Sequence, residues 1–291
     1  GLTITQSNGT TFSGTVDVSD SSSGAITITD TEDGSDVTFA GAVTTDTLDL
    51  AQTGYDLVFN GGGTFTNAVT FDNTGTLTLG NASDDAFTFN GGLTESTSGT
   101  VTLAGSIDSS NDVISFGAVT LATATTLDTN ASSTTGDITI GAVTGNNNNL
   151  TLDTTASTGS ASHTFTGDIN LGSGALSVTG DVVLAANVSV TATGGIVFND
   201  AIDADNASSN DRTLTLNAGT GSAISVTGGI GGSQALAGLT ISQSNAATFL
   251  GAVDVSDSSS GTITLTDTTD NRNIGFNGNV TADTFTTAAQ G

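Results

Sequence analysis

The sequence predicts an all-β fold, a parallel β-helix (β-solenoid) in which short strands stack coil upon coil. Three observations lead to this prediction: a long internal repeat, a shorter period inside it, and a regular alternation of apolar and polar residues. Gly1–Gly54 match Gly238–Gly291 without a gap at 33 of 54 positions. We therefore expect a single continuous solenoid over residues 1–291, with one long repeat at 1–237 and the start of the next copy at 238–291.

A shorter period lies inside the long repeat. An apolar residue, a turn residue such as Gly, Asn or Asp, and a second apolar residue recur together, beginning for example at Phe12, Phe39, Phe65 and Phe89. Nested periods of this size are typical of solenoids, and they predict about eleven coils of roughly 26 residues each.

Each unit reads as about three short strands separated by turns of Gly, Asp, Asn and Ser. In the first full unit we expect strands at Val16–Val18, Ile26–Ile28 and Val37–Phe39. Alternation lets the apolar residues of such strands point inward while Thr, Ser and Asp point outward. The 39 Gly and the lack of Pro suit a fold with many tight turns, in which every strand residue can donate to a ladder.

Stacking of equivalent residues should stabilise the core. Successive coils of a β-helix lie about 4.8 Å apart, so each side chain sits over its counterpart in the next coil. We expect one aromatic column, continued by an isoleucine, built from Phe12, Phe39, Phe65, Phe89, Phe116 and Ile140. These aromatic side chains are interpreted as core packing. On the outside, Asn146–Asn149 are interpreted as part of a stacked polar row.

The charge is strongly negative, with 29 acidic residues against two basic ones, Arg212 and Arg272. Eleven coils would make a rod on the order of 53 Å long, with roughly one negative charge per 2 Å. That density approaches the density of duplex DNA, so we expect no nucleic-acid partner. Two interpretations remain open: diffuse binding of calcium or magnesium, or a charge that only keeps the rods soluble and apart. Diffuse binding would involve turn residues such as Asp20, Asp30, Asp33 and Asp46.

One acidic cluster has the carboxylate density of a calcium loop: Asp30, Glu32, Asp33 and Asp36. Its spacing is not the spacing of an EF-hand, and the second copy places Arg272 in the corresponding loop. Calcium binding by Asp30, Asp33 and Asp36 is left open beside a solvated turn. We assign no dedicated metal site.

The sequence offers little for catalysis. It has one histidine, His163, and neither Cys nor Lys, which leaves few candidates for a general base near neutral pH. His163 lies at a turn-to-strand junction and is expected at the surface. We predict no catalytic residue, no cofactor and no enzyme activity. The alternative is a carbohydrate-active β-helix, a polysaccharide lyase or a tailspike-like hydrolase with paired carboxylates. Against it, Trp is missing and Tyr55 is the only tyrosine.

Four runs carry a resemblance to a known family: GAVTLAT at 117–123, GDITIGAVTGNNNNLTLDT at 136–154, GDINLGSGALSVTGDVVL at 167–184 and ANVSVTATGGIVFNDAI at 186–202. They resemble the repeats of filamentous-haemagglutinin-like and autotransporter-type bacterial surface proteins. The resemblance implies a secreted, extracellular β-helical fibre or stalk at the bacterial cell surface that serves adhesion or assembly. It carries no catalytic residues.

The expected partners follow from the repeat. Leu2–Ile4 and the last coils are as regular as the interior, which predicts open β-edges at both ends. We expect further copies of the same repeat to stack end to end on these edges, with lateral self-association into bundles as an additional possibility. No long uninterrupted apolar run exists, so membrane insertion is not expected.

Overall fold

The computed structural model is a β-solenoid of parallel strands stacked in about eleven turns, as the sequence predicts. The structure describes residues 1–19, 23–29, 31–96, 98–129, 136–154, 161–205, 212–257, 260–268 and 272–288, without the side chains of 267 and 268. Within these ranges every regular element is a β-strand.

Residue contacts group the chain into two compact units, which are described separately. Among the described residues, unit 1 comprises those within 1–139, and unit 2 comprises those within 140–154 and 161–288. That the solenoid runs as one continuous stack stays a prediction.

Unit 1 contains sixteen complete strands among its described residues: β1 Leu2–Ile4, β2 Thr10–Phe12, β3 Val16–Asp17, β4 Ala25–Ile28, β5 Asp36–Phe39, β6 Val43–Thr45, β7 Thr47–Leu50, β8 Asp56–Phe59, β9 Gly63–Phe65, β10 Val69–Phe71, β11 Leu77–Leu79, β12 Ala86–Phe89, β13 Leu93–Glu95, β14 Val101–Asp108, β15 Ile114–Phe116 and β16 Val119–Asp128. The strand β17, Ile138–Ile140, spans the point where the assignment changes.

Unit 2 contains the remaining described strands: β18 Val143–Thr144, β19 Leu150–Asp153, β20 Ser162–Phe165, β21 Ile169–Gly172, β22 Leu176–Thr179, β23 Asp181–Leu184, β24 Val188–Ala192, β25 Ile196–Phe198, β26 Ile202–Ala204, β27 Thr213–Val226, β28 Gly238–Phe249, β29 Val253–Asp254, β30 Thr262–Thr268, β31 Ile274–Phe276, β32 Val280–Thr281 and β33 Thr284–Thr287.

The coils of unit 1 differ in length. Phe12 pairs in register with Phe39, and Phe39 pairs in turn with Phe59, so the second of these two coils is clearly shorter than the first. The coil from Val69 to its partner Leu93 has an intermediate length. The strands keep their register because their inward residues must stay in the core, and the turns absorb the difference in length. The uniform coil length that the sequence predicts therefore fits some coils and exceeds others.

Unit 2 shows the same behaviour. Leu150 pairs with Leu176, and Leu176 pairs with Ile196, so that a shorter coil again follows a longer one. The corner between β22 and β23 is a single residue, Gly180, with a φ of 113°. A Cβ at Gly180 would lie 1.9 Å from the Thr154 hydroxyl, so glycine is required at this corner.

The two copies of the repeat fold alike within their own units. In the first copy Phe12 pairs with Phe39, and in the second Phe249 pairs with Phe276. Likewise, Val16 pairs with Val43, and Val253 with Val280. The matching sequences thus specify the same strand pairing twice.

The prediction of one aromatic column is wrong. Phe12, Phe39 and Phe59 stack with ring centroids 5.0 Å apart at each step. Phe65 lies in another strand row, where it stacks on Phe89 at 4.7 Å and meets the edge of Phe59. The short coil between Phe39 and Phe59 is the reason, because it brings Phe59 onto Phe39 and moves Phe65 to the next face.

Phe116 and Ile140 were also predicted to lie in the aromatic column, but they belong neither to the stack of Phe12, Phe39 and Phe59 nor to the stack of Phe65 and Phe89. Phe116 lies in β15, which pairs with β13 through Leu93 and Ile114, on the side of the coil that also holds β10. Ile140 lies in β17, at the change between the two units. A constant spacing between phenylalanines in the sequence therefore does not identify a constant face of the solenoid.

Candidate functional site: carboxylates between the coils

The acidic turn residues form hydrogen bonds between neighbouring coils. Asp56 Oδ1 accepts a bond from the Thr76 backbone N–H at 2.6 Å, and Asp168 Oδ1 accepts one from Ser189 N–H at 2.8 Å. Corners leave backbone donors outside the strand ladders, and a short carboxylate one coil away can satisfy them. Carboxylates that bridge coils in this way are Asp33, Asp46, Asp56, Glu95, Asp168, Asp181, Asp200, Asp203 and Asp283.

Asparagines make the same bridge without a charge. Asn147 Oδ1 accepts from Ser173 N–H at 3.0 Å, and Asn149 Oδ1 accepts from Ala175 N–H at 2.9 Å. Asn147 has a φ of 69°, a left-handed conformation that asparagine tolerates better than most residues. The predicted polar row at Asn146–Asn149 thus has a defined role in joining one turn to the next.

Asp46 is the most enclosed of the bridging carboxylates. Its side chain is 6% exposed; Oδ2 accepts from Gly24 N–H at 2.9 Å, and Oδ1 accepts from the Thr66 hydroxyl at 3.1 Å. The second copy repeats the first of these bonds, with Asp283 Oδ2 at 2.9 Å from Gly261 N. Asp46 therefore fixes the turn that ends at Gly24.

We expect Asp46→Ala to reduce the free energy of unfolding by about 2–4 kcal/mol, because a buried backbone N–H and a hydroxyl lose a charged acceptor. Diffuse cation binding, spread over many turns, would make any one turn aspartate matter little, whereas these contacts give Asp46 a structural role of its own. Thermal unfolding checks the value. Asp49→Ala, an exposed carboxylate on the neighbouring strand, is the control and should change the midpoint little.

Asp17 makes a local bond instead. Its Oδ1 accepts from the hydroxyl of Ser19 at 2.7 Å and from the Ser19 backbone N–H at 3.1 Å. The hydroxyl bond, followed by the backbone bond, lowers the pKa of Asp17 below its ordinary value of 3.8. In the second copy Asp254 and Ser256 have the same arrangement, at 2.6 and 3.0 Å.

The direction of this shift predicts a pH dependence. A carboxyl group with a lowered pKa contributes its full stabilisation above the ordinary pKa, and the contribution is lost as the pH falls through the folded pKa. We expect Ser19→Ala to move the NMR titration midpoint of Asp17 upward, toward 3.8. Ser13→Ala should leave the midpoint unchanged. Equal midpoints in the Ser19→Ala variant and the parent would contradict the assignment of the hydroxyl bond.

The structure describes part of the acidic cluster around Asp33. Asp30 lies outside the described residues, as does Asp20. Asp33 Oδ1 accepts from Gly54 N–H at 3.0 Å, and Asp36 is paired in register with Asp56 of the next coil. Among the described residues no group of three or more His, Cys, Asp or Glu side chains is placed to hold a metal ion.

The expectation that His163 lies at the surface is wrong. The side chain is fully buried, with Nε2 at 3.0 Å from the Thr179 carbonyl oxygen and 3.3 Å from the Thr154 hydroxyl. The alternation of β20 explains this, because His163 and Phe165 are two positions apart and point to the same inward side. The sequence contains the same alternation, with His163 two positions before Phe165, but the position of His163 at a turn-to-strand junction does not show that its strand already begins at Ser162.

Two further side chains that could take part in chemistry, Tyr55 and Arg212, have structural roles. Tyr55 is fully buried, and burial followed by the charge of Asp72 raises the pKa of its hydroxyl. Arg212 donates from Nε and a terminal nitrogen to the two carboxylate oxygens of Asp205, both at 2.9 Å. This bidentate pair joins the residue after β26 to the residue before β27.

The fold and these bonds define the class of protein: an acidic β-solenoid whose turns are joined by carboxylate and amide side chains. No family model matches the chain, and neither a curated protein nor a solved structure matches it. In the part of the chain that the structure describes, no helix is long and apolar enough to cross a membrane.

Proposed function

We propose that the chain is a non-catalytic structural repeat of a long secreted bacterial fibre or adhesin, which acts at the cell surface in adhesion or assembly. The observation that carries the proposal is the repeat itself. The two copies use the same strand pairs, Phe12 with Phe39 and Phe249 with Phe276, so that a stack can be extended by repetition.

The first copy indicates how one coil of the repeat receives the next. Val43 and Leu48 are 0% and 5% exposed, and Val43 is paired in register with Gly63 of the following coil. Further copies of the same repeat, end to end, are the partner that this pairing would accept. Lateral bundling of rods is part of the same proposal.

The buried positions of Tyr55 and His163 weigh against the carbohydrate-active alternative. A sugar platform built on Tyr55, or a general base built on His163, would have to be accessible to substrate. Both side chains are fully buried here.

Immunogold labelling of the cells that produce the chain tests the proposal. Antibodies raised against the purified chain should label filaments or a coat outside the cell, and the same antibodies should reduce adhesion or cell–cell aggregation. Label confined to the cell interior would overturn the proposed location, and release of reducing ends from neutral polysaccharides by the purified chain would overturn the non-catalytic assignment.

Diffuse binding of calcium or magnesium belongs to the same proposal. The net charge of −27 and the stacked carboxylates, such as Asp36 beside Asp56, favour association with hard cations. We expect chelation at fixed ionic strength to lower the unfolding temperature or reduce light scattering by bundles, with partial substitution by sodium. If neither quantity changes, the charge serves solubility alone.

A further inference from the structure

One face of unit 2 carries a row of hydroxyl groups. It comprises residues paired in register across five strands that follow one another in the stack, β24, β27, β28, β30 and β33: Ser189, Thr215, Thr240, Thr264 and Thr286. All five side chains are half-buried or exposed, since the alternate residues Leu214, Leu239 and Ile263 point into the core. We call these five residues the long row.

A second row runs beside the first, two positions earlier in each strand. Thr213, Thr262 and Thr284 belong to it, with Gly238 between the first two. Neighbours along a row are about 4.8 Å apart, and the two rows are about 6.6 Å apart along the strands. The two rows together are here called the hydroxyl face. They form a two-dimensional array of hydroxyl groups, with a methyl group at each threonine and a gap at Gly238.

The hydroxyl face is uncharged in a chain with 29 acidic and two basic residues. Its threonines are β-branched, which restricts χ1 and holds each hydroxyl and methyl group in a defined direction. A partner that fits this face is neutral, repeats in two dimensions at a spacing of a few ångströms, and accepts both hydrogen bonds and methyl groups. The surface of ice has these properties, because it is a regular lattice of water molecules that donate and accept hydrogen bonds.

Other occupants fit less well. Five strands at about 4.8 Å and two rows give an area of a few hundred Å², below the roughly 800 Å² per partner of a stable protein interface. A polysaccharide would be expected to stack on an aromatic ring, and the face offers none. We propose that the hydroxyl face binds ice. Water molecules ordered between the threonine methyl groups, and hydrogen-bonded to the hydroxyl groups, become part of the ice lattice.

The first copy of the repeat provides an internal contrast. The residues equivalent to Thr240, Thr264 and Thr286 are Thr3, Thr27 and Asp49, which pair in register in β1, β4 and β7. Asp49 places a charge in this row, so the face of the first copy should bind ice poorly. The inference does not depend on whether the chain is a fibre repeat.

The test uses the full chain at millimolar concentration and measures the gap between melting and freezing of a single ice crystal, together with uptake into slowly growing ice. We expect the parent chain to produce a gap and to enter the ice. The double variant Thr240→Lys with Thr264→Lys should lose most of both. The matched control, Thr3→Lys with Thr27→Lys, introduces the same charge at equivalent positions and should retain both.

Unchanged circular dichroism and unfolding temperature establish that each variant is folded. If the lysine variants do not fold, Thr240→Ser with Thr264→Ser removes only the two methyl groups and should still reduce the gap more than Thr3→Ser with Thr27→Ser. The proposal is overturned if the parent chain is excluded from ice and produces no gap, or if test and control variants lose activity equally.

Discussion

Phe39→Ala will lower the free energy of unfolding by about 3–5 kcal/mol, the usual cost of removing a buried phenylalanine side chain. Phe39 is fully buried and stacks on two rings, Phe12 below and Phe59 above, with interplanar angles of 9° and 7°. Its removal leaves a cavity and breaks both ring contacts at once. The loss should therefore exceed the loss caused by truncation of Phe12, which stacks on one ring only.

Hydrogen exchange measured strand by strand is the appropriate readout, because solenoids often depart from two-state unfolding. Protection should fall most in β2, β5 and β8, and β27 and β28 should keep theirs, because each coil contacts only its neighbours. Phe12→Ala is the control. Because Phe12 is only partly buried, this substitution should lower the free energy of unfolding by less than Phe39→Ala does. A loss spread evenly over all strands would argue against local stacking as the source of stability.

Gly24→Ala will destabilise the chain by about 3 kcal/mol or more, since the added methyl group meets fixed backbone. A Cβ at Gly24 would lie 1.4 Å from the Val18 carbonyl oxygen, and at Gly261 of the second copy it would lie 1.5 Å from the Val255 carbonyl oxygen. The two carbonyl groups belong to the residues that directly follow β3 and β29. Val18 N–H is bonded to the Thr44 carbonyl at 2.9 Å.

Gly14→Ala is the matched control, because a Cβ there meets no atom within 4 Å. It should change the free energy of unfolding by no more than about 0.5 kcal/mol. Thermal melts of Gly24→Ala, Gly261→Ala and Gly14→Ala would give the comparison. Similar midpoints for Gly24→Ala and Gly14→Ala would mean that the turn around Gly24 relaxes freely, contrary to its contacts with Val18 and Asp46.

Alternation was the part of the sequence that predicted structure best. It placed Ile26, Ile28, Val37 and Phe39 inside, and the structure buries all four completely. It also specified short strands at the expected places, for example β4 Ala25–Ile28 and β5 Asp36–Phe39. This works because side chains two positions apart in a strand point to the same face, so that the local pattern alone shows which residues point inward.

Alternation does not predict which residues of two neighbouring coils lie side by side. The pairing of Phe39 with Phe59, and the bond between Asp46 and Gly24, depend on turn lengths that differ from coil to coil. The alternation has a period of two and carries no information on the length of a coil. For this reason the aromatic columns were assigned wrongly, and the bridging role of Asp46 and Asp168 was not foreseen.

The unequal corners bear on how such a chain can evolve. The corner between β7 and β8 is longer than the one between β5 and β6, and the corner between β22 and β23 is Gly180 alone, yet the strands on either side remain in register. An insertion or deletion at a corner therefore changes the chain length without disturbing the ladder. Related sequences can diverge by gaining and losing corner residues. Their sequence alignments then become unreliable, although the coils that they encode still superimpose.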